Sequence, residues 1–312
     1  MKKEEFYYES MDRKTNIRAV RYIPDGEIKA ILQIAHGMVE FIDRYDDFAK
    51  FLCDKGYLVT GNDHLGHGGS VNSKDDWGYF AEKDGYMVVL DDMYTLTLIT
   101  KQMYPNKPYF LLGHSMGSFF ARLYTTIYGD QLNGAIIMGT GQQSMATLKA
   151  GKILCRAIAA NKGWRHRSNT VNATAMGSYN KKWEPSLTHT DWLTKDPKII
   201  EFYIHEPRCT FTFTLNGFYN MFSCIEDIIK LDNIKKMPKE LPILITSGED
   251  DPVGNFGKDP ATLTKIFKDV GIRDVELKLY PNDRHEILNE DNKEEVYNDI
   301  YNWMESKLIA RA

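Results

Sequence analysis

Ser115 stands in the hexapeptide Gly113-His114-Ser115-Met116-Gly117-Ser118, a spacing that can turn a serine hydroxyl into a nucleophile. The apolar run Tyr109-Phe110-Leu111-Leu112 precedes it, and the helix-like stretch Phe119-Phe120-Ala121-Arg122-Leu123-Tyr124 follows. Between a strand and a helix, G-x-S-x-G makes a nucleophile elbow. The turn is so tight that its flanks need Gly, and the Ser side chain is held out above the sheet. The pattern alone is a modest signal: at Gly and Ser usage of roughly 7% each, chance yields it about once in ten chains of this length. A serine also stays inert without a base, and without an acid to orient that base.

Two later segments supply such groups. Leu241-Pro242-Ile243-Leu244-Ile245-Thr246 reads as a strand and runs into Ser247-Gly248-Glu249-Asp250-Asp251-Pro252. That puts carboxylates just past a strand's carboxyl end, where open α/β sheets place their sites. Val275-Glu276-Leu277-Lys278-Leu279-Tyr280 reads as another strand, followed by Pro281-Asn282-Asp283-Arg284-His285-Glu286. A lone loop Asp is commonly a turn residue and a lone loop His surface filler. In the order Ser, acid, His, at separate strand ends, they favour a catalytic set. An oxyanion hole needs two backbone N–H groups aimed at developing charge. One is expected from Met116, at the start of the elbow helix; the other from Met38, after His36-Gly37 at the end of an early strand.

The elements that must position these residues follow an alternating rhythm. Residues 5–9 and 17–23 read as two strands, Ala30–Ala35 as a buried strand, 43–55 as a helix and Tyr57–Thr60 as a strand. Residues 85–103 read as a helix ended by Pro105, and Gly134–Gly139 as the strand after the elbow helix. A helix is expected at 259–270 between the last two strands, and a final one at 291–309. Strands alternating with helices imply an α/β chain with a mostly parallel sheet covered on both faces. The rhythm breaks between about 141 and 230, which holds helical stretches, many aromatics and no clean strand. That is too long for an ordinary connection. The expected organisation is a core of residues 1–140 and 231–312 with a helical cap inserted at 141–230.

At 312 residues the chain can form one large domain with such an insertion. A formal charge of −4 gives no case for nucleic acid as a partner. Cys53, Cys155, Cys209 and Cys224 show no C-x-x-C pair, the N-terminus lacks the apolar run of a signal peptide, and no stretch is apolar enough to span a membrane. The reading is a cytoplasmic protein with reduced thiols.

Together, Ala35-His36-Gly37-Met38-Val39-Glu40, Asp63-x-x-Gly66-His67-Gly68-x-Ser70, Gly113-His114-Ser115-Met116-Gly117, Gly248-x-x-Asp251-Pro252 and His285-Glu286 carry a resemblance. In order and spacing the chain resembles the monoacylglycerol lipase/lysophospholipase-like branch of the α/β-hydrolases, also described as serine aminopeptidase S33-like. The match spans roughly residues 30–290, omitting the cap. It implies the α/β-hydrolase fold, with a sheet of about eight strands, and a triad of Ser115, Asp251 and His285, choosing Asp251 over Asp250. It also implies Met38 and Met116 as oxyanion donors. It gives Asp63, His64 and His67 a structural role, with no metal ligands and no cofactor, and places Glu40 and Glu286 behind the reacting groups.

The cap bears on the substrate. From Gln131 to Trp183 there is no Asp or Glu, while Lys149, Lys152, Arg156, Lys162, Arg165, Arg167, Lys181 and Lys182 are basic. Residues 145–160 read as an amphipathic helix. Its basic face is either solvated or set against an anionic membrane surface. Aromatics such as Phe211, Phe218 and Phe222 either line an acyl tunnel or pack the cap onto the sheet. The leading reading is a serine carboxylic ester hydrolase acting on a monoacyl lipid ester, a monoglyceride or lysophospholipid. An aminopeptidase of the proline-iminopeptidase type shares fold and triad but needs an acidic patch for the substrate's amine. A non-catalytic binding protein on the same fold is the third reading, against which the intact Ser, Asp and His stand.

Overall fold

The structure, a computed structural model, describes residues 1–309; residues 310–312 of the expected core lie outside the described residues. Eight strands form one sheet: β1 (Lys2–Glu9), β2 (Asn16–Ile23), β3 (Ala30–Ala35), β4 (Tyr57–Asn62), β5 (Tyr109–His114), β6 (Gly134–Met138), β7 (Ile243–Gly248) and β8 (Val275–Tyr280). Their spatial order is β1-β2-β4-β3-β5-β6-β7-β8. Only the pairings of β1 with β2 and of β2 with β4 are antiparallel; the other five are parallel. The expected mostly parallel sheet is therefore present.

Composition explains which strands are central. β3, β4, β5 and β6 are buried along their whole length, and their near-continuous apolar runs suit strands covered on both faces. β1, at the edge, is made of charged and aromatic residues that are exposed or half-buried throughout. The helices α1 (Asp46–Asp54), α2 (Gly85–Met103), α3 (Met116–Ile127), α9 (Lys258–Asp269) and α10 (Lys293–Ile309) flank the sheet, with α4 (Met145–Lys162), α5 (Asn169–Met176), α6 (Pro197–His205), α7 (Leu215–Ile228) and α8 (Leu231–Ile234) between β6 and β7. One face packs Phe48 and Leu52 of α1, and Val296, Ile300 and Trp303 of α10, onto Phe110, Leu112, Ile136 and Met138. The other packs α2, α3 and α9 onto Ile31, Leu111, Ala135 and Ile245. Each such side chain taken out of water contributes about 1.5–3 kcal/mol.

Several boundaries move, β1 reaching back to Lys2 and β4 on to Asn62. β7 begins at Ile243 and runs through Gly248, two residues later than its composition suggests. Pro242 has no N–H to give a ladder; its carbonyl takes the Ala135 N–H at 3.0 Å, and regular pairing starts after it. The helix expected over 43–55 opens as a 3-10 turn at Ile42–Tyr45 before α1.

The helical segment between β6 and β7 contains no strand among the described residues. α4 packs along α7, and α7 against α3 and α2. Of the eight cations between Gln131 and Trp183, five are engaged. Lys152 pairs with Glu226 at 2.6 Å, Arg165 with Asp76 at 2.7 Å, and Lys182 with Asp250. Arg167 donates to the carbonyls of Trp77, Asp75 and Thr212, and Arg156 to the Tyr219 hydroxyl. Among the described residues, Lys149, Lys162 and Lys181 have no acidic partner. Lys152 and Arg156 thus bind within the segment, while Arg165, Arg167 and Lys182 tie it to the rest of the molecule.

Candidate active site

Every residue singled out for chemistry lies past the carboxyl end of a strand: Met38 after β3, Ser115 after β5, Asp251 after β7 and His285 after β8. Parallel pairing of β3, β5, β6, β7 and β8 points all of these ends the same way.

At the elbow Ser115 has φ 54° and ψ −120°, a strained conformation for a residue with a side chain. Its N–H is held by the Met138 carbonyl at 2.9 Å. The flanking glycines are required by close approach. A Cβ on Gly113 would sit 2.2 Å from the Gly117 carbonyl oxygen, and one on Gly117 would sit 2.0 Å from that of Ala35. The elbow helix therefore lies directly against β3 and β5, and Met116 opens α3, where the first N–H groups have no intrahelical acceptor.

Asp251 and His285 meet. The His285 Nδ1 lies 2.9 Å from Asp251 Oδ2, with both side chains buried. Asp251 is aimed by the Val253 N–H (2.8 Å, to Oδ1) and the Ser247 hydroxyl (3.1 Å, to Oδ2). Nδ1 approaches Asp251 at 2.9 Å without the alignment of a full hydrogen bond, and Nε2 has no partner among the described residues. Asp250, the neighbouring acid, is turned outward to Lys182.

Ser115, His285, Met38 and Met116 all line one cavity of about 880 Å³, near the upper end of the roughly 300–1,000 Å³ of small-molecule sites. Its far wall is largely apolar and comes from the segment between β6 and β7, including Leu148, Leu154, Val171, Met221 and Ile225. Of the three phenylalanines expected there, Phe211 and Phe222 are on the wall. Phe218 is not: it is fully buried, with its ring packed against Phe213 and Phe222. It serves packing, the commoner use of a cap aromatic.

The histidines of the β4 loop are structural in geometry. The His36 Nε2 accepts the His64 N–H at 2.9 Å, and the three rings of His36, His64 and His67 stack among Phe80, Phe120 and Phe213. Burial pushes His36 and His67 down to about 3, so both are neutral. Asp63 fastens the same loop by accepting the Ile42 and Gly69 N–H groups at 2.9 and 2.7 Å.

Two features escaped the sequence reading. The Trp192 ring lies 5.0 Å from that of His285, and its carbonyl accepts the His285 N–H. Behind the site, Arg44 bridges two buried carboxylates, Glu40 at 2.7 Å and Glu286 in a two-toothed contact at 2.8 and 2.7 Å. Burial alone would raise the Glu40 carboxyl, but His114 and Arg44 beside it hold it well below its ordinary range. The sequence placed Glu40 and Glu286 behind the reacting groups but did not point to Arg44 between them.

The serine aminopeptidase, S33, family model matches residues 26–292. The chain belongs to that family of hydrolases. A carboxyl esterase from Bacillus coagulans, solved with glycerol, superposes with a TM-score of 0.90 at 31% identity, over 98% of this chain and 99% of that one. The fold is thus that of the α/β-hydrolases. The chain is 25% identical to a monoacylglycerol lipase of Mycolicibacterium smegmatis, over 92% of each. It is 33% identical to the monoglyceride lipase of Mus musculus over a shorter stretch, 42% of this chain and 43% of that one.

Proposed function

We propose that this S33-family hydrolase is a carboxylic ester hydrolase acting on monoacyl lipid esters of the monoacylglycerol or lysophospholipid type. The observation that carries the reading is the large, mainly apolar cavity that opens onto Ser115. An acyl chain buried there gains about 0.8 kcal/mol per CH₂. Residues 141–230 act as a cap that supplies the apolar wall.

In this mechanism Ser115 attacks the ester carbonyl while His285 Nε2 takes its proton. Asp251 holds the imidazole tautomer through Nδ1 and stabilises the imidazolium. The Met38 and Met116 N–H groups receive the oxyanion. His285 then protonates the leaving alcohol, and the carbonyl reforms as the acyl-enzyme. Water, deprotonated by the same His285, attacks that ester and releases the fatty acid and free Ser115.

The aminopeptidase reading needs a free acid to hold an amine. Among the described cavity residues the acids are Glu40, Glu184 and Glu286. The first and last are committed to Arg44, which leaves Glu184 alone. On a panel of p-nitrophenyl esters, monoacylglycerol, lysophosphatidylcholine and Pro-naphthylamide, ester cleavage is expected to dominate. Amide cleavage exceeding ester cleavage would overturn the lipid-ester reading.

Contact with an anionic lipid surface belongs to the same proposal. Ile153 is 64% and Trp164 39% exposed on the outer side of α4 and the turn after it, near the unpaired Lys149 and Lys162. Stronger co-sedimentation with anionic than with neutral vesicles is expected. Equal binding to both would remove this part.

A further inference from the structure

His114, the residue before the nucleophile, is buried, and both of its ring nitrogens face acceptors. Nδ1 lies 3.3 Å from the carboxylate oxygen Oε1 of Glu40. Nε2 lies 3.3 Å from the backbone carbonyl of His285. The Tyr45 hydroxyl is 3.1 Å from Nδ1, but its single proton goes to Glu40 at 2.9 Å. A neutral imidazole has one N–H; only the imidazolium donates from both nitrogens.

Charge balance points the same way. The buried groups around the ring are Glu40 and Tyr45 from the chain after β3, Arg44 beside them, and Glu286 and His285 from the loop after β8. Glu40, Arg44 and Glu286 alone leave one buried negative charge uncompensated. An imidazolium at position 114 makes the cluster neutral, the arrangement a low-dielectric interior favours.

We propose that His114 is held as an imidazolium between Glu40 and the His285 carbonyl, and that in this form it is the positioning residue that fixes the His285 loop over Ser115. The proposal rests on the reading of His285 as the catalytic base. Burial opposes the charge on His114, but the Glu40 carboxylate outweighs it and the group is raised above its ordinary value. A raised histidine keeps its proton below that value and loses it as pH climbs through it. The positioning bond is therefore lost on the alkaline side.

The test has two arms. In nitrogen–proton correlation spectra of protein labelled at histidine, His114 is identified by the signal missing from His114→Gln. Below neutral pH both of its nitrogens are expected to be protonated in wild type and in Ser115→Ala, and only one in Glu40→Gln. A neutral His114 in wild type overturns the proposal. In the second arm kcat/KM for a p-nitrophenyl ester is followed against pH. Wild type is expected to decline on the alkaline side, and Glu40→Gln to decline at lower pH. His114→Gln keeps an N–H for the His285 carbonyl but cannot titrate. It is expected to lose that decline, with kcat lower by about tenfold and KM little changed. An alkaline limb unchanged in His114→Gln overturns the positioning role. Because the spectra need no turnover, ester hydrolysis surviving Ser115→Ala would count against the triad alone.

Discussion

Ser115→Ala is expected to lower kcat for a p-nitrophenyl ester by about 10⁵–10⁶-fold, with the fold intact. The size follows from what is removed. Ala deletes the only atom that bonds to the substrate carbon, so the two-step route through an acyl-enzyme is lost. The Met38 and Met116 amides remain, and oxyanion donors with binding alone sustain a residual about 10³–10⁴-fold over water. The substitution adds no atoms at the strained φ of 54°, so circular dichroism and the melting temperature should stay near wild type. A kcat within tenfold of wild type would mean that water is delivered directly and Ser115 is not the nucleophile.

Arg44→Met is the second large effect, and it falls on stability. The guanidinium is buried between Glu40 and Glu286, and all three side chains are only 4–5% exposed. Burial disfavours its charge, but the two carboxylates hold it well above its ordinary value. Removing it strands the buried Glu286 carboxylate and leaves Glu40 with His114 as its one remaining partner of opposite charge among the described residues. Breaking a buried pair in this way costs about 3–5 kcal/mol. The melting temperature should fall on the order of 5–10 °C. Arg44→Met/Glu40→Gln/Glu286→Gln, which removes the stranded charges as well, should recover most of that loss. A single variant as stable as wild type would show that the carboxylates find other partners.

The contrast between elbow and network explains what the sequence could disclose. Gly113, Ser115 and Gly117 are close in the chain because one turn makes the geometry, so local spacing reports it. Asp251 and His285 were legible because parallel strands put their loops on one edge, and strand ends can be read from apolar runs. α2 falls on Gly85–Met103 as expected, since its helical periodicity is long and Pro105 stops it. Arg44 and Glu286 are 242 positions apart, and no local pattern links them. Trp192 reaches His285 from the segment between β6 and β7, whose path over the sheet depends on packing rather than on periodicity. Phe218 was misplaced for the same reason: spacing on α7 gives a face, but not which partner that face meets.

The central claim is that Ser115 is the residue that becomes acylated, with His285 as its base. The direct measurement is intact and peptide mass spectrometry after treatment with a fluorophosphonate, which forms a stable bond to an activated serine. One adduct is expected, on the peptide carrying Ser115, absent from Ser115→Ala and formed far more slowly in His285→Ala. An adduct on any other residue, or full ester hydrolysis with Ser115 completely labelled, would contradict it.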